Sequence, residues 1–468
     1  MNRIQKKLVL PAAALLSIFT AEAQKQPNII VILMDDMGYG DIGTQGAIGY
    51  ETPNLDKMGN EGMRFTRFYS VQAVSGASRA GLLTGCYPNR IGFSGAPGPD
   101  AVTGINENES TMAEVLKQKG YACAAYGKWH LGHHTKFLPT HNGFDEYYGI
   151  PYSNDMWPHH PTGTYPDLPL YEGDKVIAYN PDQSQFTTNF TERAIQFIDK
   201  NKKRPFFIYL AHPMPHVPLF VSDKFKGKSK QGLYGDVIME IDWSVGQILQ
   251  KLRKEGLDEN TLVVVTSDNG PWINYGNHAG STGGLREGKG TSFEGGQRVP
   301  CLMQWKGTIP AGSVCNKLAV NIDLLPTFAH ISGAAMPSHK TDGVNLFSLL
   351  QGDTKSTPRT GFLYYYRRNS LEAVSDGEFK LIFPHPTRTY EGFAPGNDGM
   401  PGRVDENKML EEKILIDLRR DPGERYNVLS QYPEAAGRLE QMANEAREDL
   451  GDDIQKKEGK NRRAIGTL

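Results

Sequence analysis

The sequence predicts an α/β fold, a large mixed, mostly parallel β-sheet sandwiched by helices, followed by a smaller C-terminal antiparallel α+β subdomain. Three observations carry this reading. Short β-branched apolar runs recur, and each stops abruptly at polar residues. Amphipathic helical stretches separate these runs. From about residue 361 the texture changes to short runs joined by Asp-Gly and Pro turns. Apolar runs without alternation suit strands buried on both faces, as in a parallel sheet. Their alternation with helices places them in one doubly wound sheet.

The elements follow in chain order. Residues 1–24 read as a secretory signal: Arg3, Lys6 and Lys7, then an apolar core from Leu8 to Thr20, then the small-x-small site Ala21-Glu22-Ala23. The expected location is therefore exported, in a bacterial periplasm or secreted. No cysteine precedes Cys86, which removes a lipoprotein anchor at this site, and no later segment approaches a membrane span. Asn28 to Met34 is the first strand and runs into Asp35-Asp36. Thr52-Pro53 opens a helix to about Glu61 with a cap and an N1 proline. Thr111-x-x-Glu114 is a capping box. Tyr121 to Tyr126 is a strand before Gly127-Lys128-Trp129-His130, and Phe206 to Leu210 another before Ala211-His212-Pro213. Helices are expected over Thr187 to Lys200 and Asp236 to Arg253, where Ile241, Val245, Ile248, Leu249 and Leu252 share a face. Leu262 to Thr266 is a strand before Ser267-Asp268-Asn269-Gly270. In doubly wound sheets ligands bind beyond the carboxyl ends of the strands, so these four polar clusters should meet on one rim.

Beyond this catalytic domain (25–360), short strands are expected at Leu363 to Arg367, Ala373-Val374, Phe379 to Phe383 and Ile414 to Ile416. A last helix runs from Pro433 to about Leu450, and the polar tail from Gly451 is either disordered or laid over the main domain. Together they form the 361–468 subdomain. The 468 residues carry a net charge of -2, so no basic field exists to attract nucleic acid, and an anionic substrate has to be gathered locally. The four cysteines lack metal-ligand spacing; Cys301 and Cys315 read equally as a disulfide or as buried free thiols.

Asp35, Asp36, Asp268 and Asn269 end two of the strands. Four hard oxygen donors without cysteine suit Ca²⁺ or Mg²⁺ rather than zinc, and adjacent carboxylates repel unless a cation lies between them. Ser75-Gly76-Ala77-Ser78-Arg79, running on to Gly85, reads by itself as a helix start with a serine cap. Further clusters follow: Gly127-Lys128-Trp129-His130-Leu131-Gly132, His216-Val217-Pro218, and Lys289-Gly-x-x-x-Glu294-Gly-Gly-x-Arg298-Val-Pro300.

In this order, from Asp35-Asp36-Met-Gly-Tyr-Gly-Asp onward, the motifs resemble those of the type I sulfatases, the arylsulfatase-like family within the alkaline phosphatase superfamily. The resemblance extends from about Pro27 to Asp417-Leu418-x-x-Asp421-Pro422. It implies that Ser75 is oxidised to formylglycine, whose hydrate is the nucleophile. It further implies that Asp35, Asp36, Asp268 and Asn269 bind calcium, with magnesium as the alternative, together with an oxygen from residue 75. Arg79 would steady the hydrate, while Lys128, His130, Ser153, His216 and Lys289 surround the sulfate. His216 is the implied proton donor to the leaving alcohol, and His130 the base that releases sulfate from the enzyme.

Most of the family carry cysteine at the first motif position. Ser75 resembles the serine-type variant, which is matured by a radical S-adenosylmethionine enzyme. The implied activity is hydrolysis of sulfate esters on a galactose or N-acetylgalactosamine unit of mucin or glycosaminoglycan, by likeness to the arylsulfatase A and galactosamine-sulfatase branch. Trp157, His159, His160, Trp272, Arg286, Tyr365, Tyr366, Arg367 and Arg368 are candidates for recognising the sugar, because aromatic faces beside charges suit a sulfated ring. Phosphoester or phosphonate hydrolysis on the same fold and a non-catalytic sulfated-glycan-binding protein are the alternatives.

Overall fold

The computed structural model describes residues 26–468; the signal-peptide reading of residues 1–24 lies outside them. A ten-stranded sheet forms the centre, in the order Ser313–Cys315, Met63–Phe65, Cys301–Gln304, Thr261–Ser267, Asn28–Met34, Phe206–Ala211, Ala122–Lys128, Glu146–Ile150, Pro169–Glu172 and Lys175–Tyr179. The five strands from Thr261–Ser267 to Glu146–Ile150 are mutually parallel. Antiparallel pairings appear toward both edges. The sheet is mixed with a parallel centre, as expected.

The first strand shows why its run is unbroken. Ile29, Val31 and Leu33 pack into one core and Ile30, Ile32 and Met34 into the other, so neither face meets water. The helices Phe186–Asn201 and Gly232–Lys254 cover the second face with Phe190, Ala194, Ile198, Ile241, Val245 and Ile248.

Two helix starts differ from expectation. Thr111 makes the complete capping box with Glu114. Thr52 does not cap the Pro53–Glu61 helix; its Oγ1 accepts from the Gly43 amide at 2.9 Å instead. Ser75 is not a cap either, because the helix runs Ser75–Thr84 with Val74 before it, making Ser75 its first residue.

Downstream, Phe362–Tyr366, Ser370–Ser375, Phe379–Ile382 and Ile414–Asp417 form an antiparallel sheet, against which the helix Pro433–Leu450 buries Ala435, Leu439, Ala443 and Leu450. The tail lies over the main domain: Gly466–Thr467 pairs with Thr103–Gly104, and Arg463 Nε donates to Glu109 Oε1 at 2.7 Å. Cys301 and Cys315 are free thiols. Both sit in register with Phe65 from opposite sides of its strand. Two strand spacings, about 10 Å, exceed the roughly 7 Å that a disulfide tolerates between Cα atoms. Among the described residues no helix is long and apolar enough to cross a membrane.

Candidate active site

Three of the four polar clusters meet because the strands that carry them lie parallel in one sheet; in the fourth, His212 instead pairs with Ser244 Oγ at 3.0 Å, and the chain beyond it delivers His216. Asp268 N donates to Met34 O at 3.0 Å and Asp36 N to Asp268 Oδ1 at 3.1 Å, which locks the two strand ends together. Asn269 Nδ2 donates to Asp36 Oδ1 at 2.6 Å. Asp36 takes a left-handed backbone, φ 61°, and so does His130, φ 68°. Non-glycine residues held there are costly and cluster at functional sites. Gly127, φ 105°, precedes the Lys128 cluster; a Cβ at that position would lie 2.0 Å from the Ala211 carbonyl of the neighbouring strand.

Ser75 enters this cluster from the first turn of its helix. Its Oγ donates to Asp35 Oδ1 at 2.9 Å and lies 3.4 Å from Asn269 Oδ1. Arg79, one turn on and fully buried, donates through Nε to Asp268 Oδ2 at 3.0 Å and through a terminal nitrogen to Lys128 O at 3.0 Å. Lys128 Nζ pairs with Asp35 and donates to Ser153 Oγ at 3.1 Å. Lys289 Nζ donates to Asp36 Oδ2 at 2.8 Å and sits 4.3 Å over the Trp272 ring. His216 Nε2 is 3.5 Å from Asp36 Oδ2, while its Nδ1 meets the Val217 carbonyl.

The electrostatics follow from this packing. Burial alone would raise Asp35, but Lys128, His216, Arg79 and Lys289 outweigh it and hold its carboxyl well below the ordinary range. Asp268 is pushed up to about 6 by burial and by Asp35, with Arg79 opposing. Burial, then Lys128 and Arg79, push His130 well below its ordinary value, so its ring is neutral. Both His130 ring nitrogens are buried without a partner. A buried polar atom with no partner costs free energy unless a ligand or water meets it.

The pocket in front of Ser75 encloses about 520 Å³. Ser75, Lys128, His130, Ser153, His216 and Lys289 line it, as do the candidates His160, Trp272 and Tyr366. The other candidates lie elsewhere. Trp157 packs its ring on Phe220 and His159, and His159 is exposed. Arg286 binds Glu391 and the Glu424 carbonyl and stacks on Phe293, so it braces the loop. Tyr365 is buried in the C-terminal core, donating to Gly451 O at 2.9 Å. Arg367 and Arg368 line a neighbouring cavity instead.

Asp155, Tyr165, Asn274, Tyr275 and Arg388 also line the pocket, and no motif names them. Asp155 lies two residues past Ser153, and Asn274 and Tyr275 just past Trp272, so proximity to those residues was the available signal. Arg388 comes from the ribbon His385–Thr389 with Asp405–Leu410, which has no apolar run to announce it.

Comparison with known proteins decides the family. A sulfatase family model matches residues 27–334, and one for the C-terminal region of aryl-sulfatase matches 357–464. The chain belongs to the sulfatase family. It is 37% identical to mouse N-acetylgalactosamine-6-sulfatase over 95% of this chain and 90% of that one. To human arylsulfatase A it is 36% identical, over 91% and 86%. Among solved structures, the PsFucS1 sulfatase from Pseudoalteromonas superposes with a TM-score of 0.79 at 26% identity, covering 90% of this chain and 91% of that one. This sulfatase is thus a sulfuric ester hydrolase with the alkaline-phosphatase-like fold of its structural neighbours.

Proposed function

We propose that the enzyme is exported and removes sulfate from a sulfated carbohydrate at the Ser75 pocket, after a radical S-adenosylmethionine maturase has converted Ser75 to formylglycine. The observation that carries the reading is the position of Ser75 Oγ, 2.9 Å from Asp35 Oδ1 at a helix N-terminus that opens into the pocket. A helix N-terminus favours an anion.

The donor set fits a hard divalent cation. Asp35, Asp36, Asp268 and Asn269 present buried carboxylate and amide oxygens within one cluster, and a cation there would relieve the repulsion between the carboxylates. Asp35 and Asp36 also lie with a His216 nitrogen within 4.8 Å of one another, but an imidazole is a softer ligand than the oxygens calcium selects. When present, the cation and an aldehyde hydrate at residue 75 supply a nucleophile and positive charge beside the sulfur.

The remaining work falls to the chain's own side chains. Lys128 and Lys289 face the sulfate oxygens and stabilise the charge that builds on them. His216, in the pocket wall beside Trp272, donates a proton to the leaving alcohol. The neutral, unpartnered His130 accepts the proton that must leave residue 75. Trp272, Tyr165 and Tyr275 give the pocket the apolar faces that a sugar ring stacks on, and relatives named for an N-acetylgalactosamine sulfate favour a galactose or N-acetylgalactosamine unit.

A panel of monosulfated galactose and N-acetylgalactosamine sugars, with nitrophenyl sulfate and nitrophenyl phosphate beside it, tests the reading on protein from a host with the maturase. Sulfate release from one sugar is the expected result. Activity on none, with formylglycine verified by mass, sinks the carbohydrate substrate, and faster hydrolysis of the phosphate sinks the sulfatase chemistry.

A further inference from the structure

We infer that a second anion-binding subsite adjoins the Ser75 pocket, so that the substrate carries another acidic group, a sulfate or a carboxylate, beside the sulfate that is removed. This rests on the reading of the Ser75 pocket as the site of sulfate removal.

A cavity of about 470 Å³ lies next to the pocket, bordered by Gln72, Tyr366, Arg367, Arg368, Arg388 and Glu406. Tyr366 and Arg388 line both spaces, so one ligand can occupy the two together. Three guanidinium groups face one carboxylate. Glu406 is already engaged, its Oε2 accepting from Arg388 Nε at 2.9 Å. Arg367 is oriented by Asn407 Oδ1 at 2.8 Å and by the Glu406 carbonyl. Arg368 is exposed and, among the described residues, has neither a hydrogen-bond nor an ion-pair partner. Among the described residues that line the cavity, Glu406 is the one carboxylate against three guanidiniums, so the lining carries net positive charge.

Two further features point to a ligand. Gln72 is 1% exposed, and its Nε2 is buried without an acceptor. An orphaned amide donor in a wall of arginines is what an anion would satisfy. The arginines also sit on an unfavourable backbone. Arg367 and Arg368 are consecutive at the tip between Phe362–Tyr366 and Ser370–Ser375, with φ 44° and 71°. Such tips usually carry Asn or Gly, which tolerate the left-handed region. Two arginines held there are strained, and strain of this kind is kept where a side chain has to be aimed. A guanidinium fork matches the paired oxygens of sulfate and carboxylate alike.

The test compares three disaccharides on the matured enzyme: galactose–N-acetylgalactosamine with one sulfate, the same with a second sulfate on the neighbouring sugar, and N-acetylgalactosamine–glucuronic acid with one sulfate. The wild type is expected to favour at least one doubly acidic disaccharide in kcat/KM by about tenfold or more, the size of one charge-assisted contact. Which one it favours distinguishes sulfate from carboxylate. Arg368→Gly, and separately Arg367→Gly, should remove most of that preference while the singly sulfated disaccharide changes little. Glycine suits the backbone there, so the fold is retained.

Equal kcat/KM on all three disaccharides, or a variant that loses equally on all, overturns the subsite. Calorimetric binding of the same disaccharides to unmatured Ser75 protein separates the two readings. A charge preference there that Arg368→Gly abolishes, without turnover after maturation, upholds the subsite and sinks the catalytic reading. Turnover without any charge preference does the reverse.

Discussion

Replacing Lys380 by Met should loosen the joint between the C-terminal sheet and the loop that delivers Lys289. Lys380 lies on the strand Phe379–Ile382 and is fully buried, with Nζ 2.7 Å from Ser292 O, 2.7 Å from Glu424 Oε1 and 3.3 Å from Glu294 Oε1, and 3.9 Å over the Tyr364 ring. Glu294 also accepts from the Tyr69 and Tyr364 hydroxyls at 2.7 and 2.8 Å, and its amide donates to Glu424 Oε2 at 2.7 Å. Removing the cation leaves two buried carboxyls facing each other, which costs about 3–5 kcal/mol. Burial pushes Glu424 up to about 7 with Lys380 opposing, whereas Lys380 and Arg298 overcome burial to hold Glu294 below its ordinary value. Glu424 has a raised folded pKa, so its contribution is full below the unfolded value of about 4.5 and is lost as pH rises through about 7. Without Lys380 both carboxyls rise further and take up protons in acid. Urea denaturation of wild type and Lys380→Met at pH 8 should therefore show the full loss, and at pH 5 a loss smaller by about 1 kcal/mol or more. A loss below about 1 kcal/mol, or one equal at both pH values, would refute the reasoning.

Calcium should stabilise even the unmatured protein, by about 2.7 kcal/mol at a hundred times its dissociation constant, with a chelator reversing the effect and Asp36→Asn weakening it; an unchanged unfolding curve counts against the cation site. Ser75→Ala should abolish sulfate release, and the wild-type peptide containing Ser75, made in a host with the maturase, should be lighter than the encoded one by the mass of molecular hydrogen. Arg367→Gly should raise stability by up to about 1 kcal/mol, because the relief of a left-handed arginine exceeds the added chain entropy. A lower urea midpoint would show that the arginine's contacts outweigh its strain.

The parallel centre was legible because burial on both faces leaves a strand no polar position until it ends, and the polar residues that end it then mark the rim. This is why Asp35, Lys128 and Asp268 could be placed on one rim from the sequence and lie together in the structure, whereas His216, five residues past its strand, was named by the motif resemblance alone. Ser75 reads as the cap of its helix but is its first residue, since a serine at a helix start looks the same in either place. Elements without a buried apolar face were not legible. Lys175–Tyr179 is mostly exposed, and the buried face of His385–Thr389 is polar, made of His385, Thr387 and Thr389, while its partner strand Asp405–Leu410 is exposed.

That failure has a consequence for where selectivity resides. Arg388 reaches the pocket from one of these unannounced ribbons, 99 residues beyond Lys289, and borders the adjoining cavity together with Arg367 and Arg368 on a strained tip. Arg286, close in sequence to Lys289, is instead consumed by Glu391 and the Glu424 carbonyl. The motifs therefore named the groups that line the Ser75 pocket, but Arg286, chosen for its nearness to Lys289, is not the arginine that lines it; Arg388 is. The sheet rim constrains the reactive groups tightly, since each is tied to a buried strand end. The exposed Arg368 tip and the exposed strand Asp405–Leu410 carry no such constraint, so substrate preference can change there while the rim stays intact.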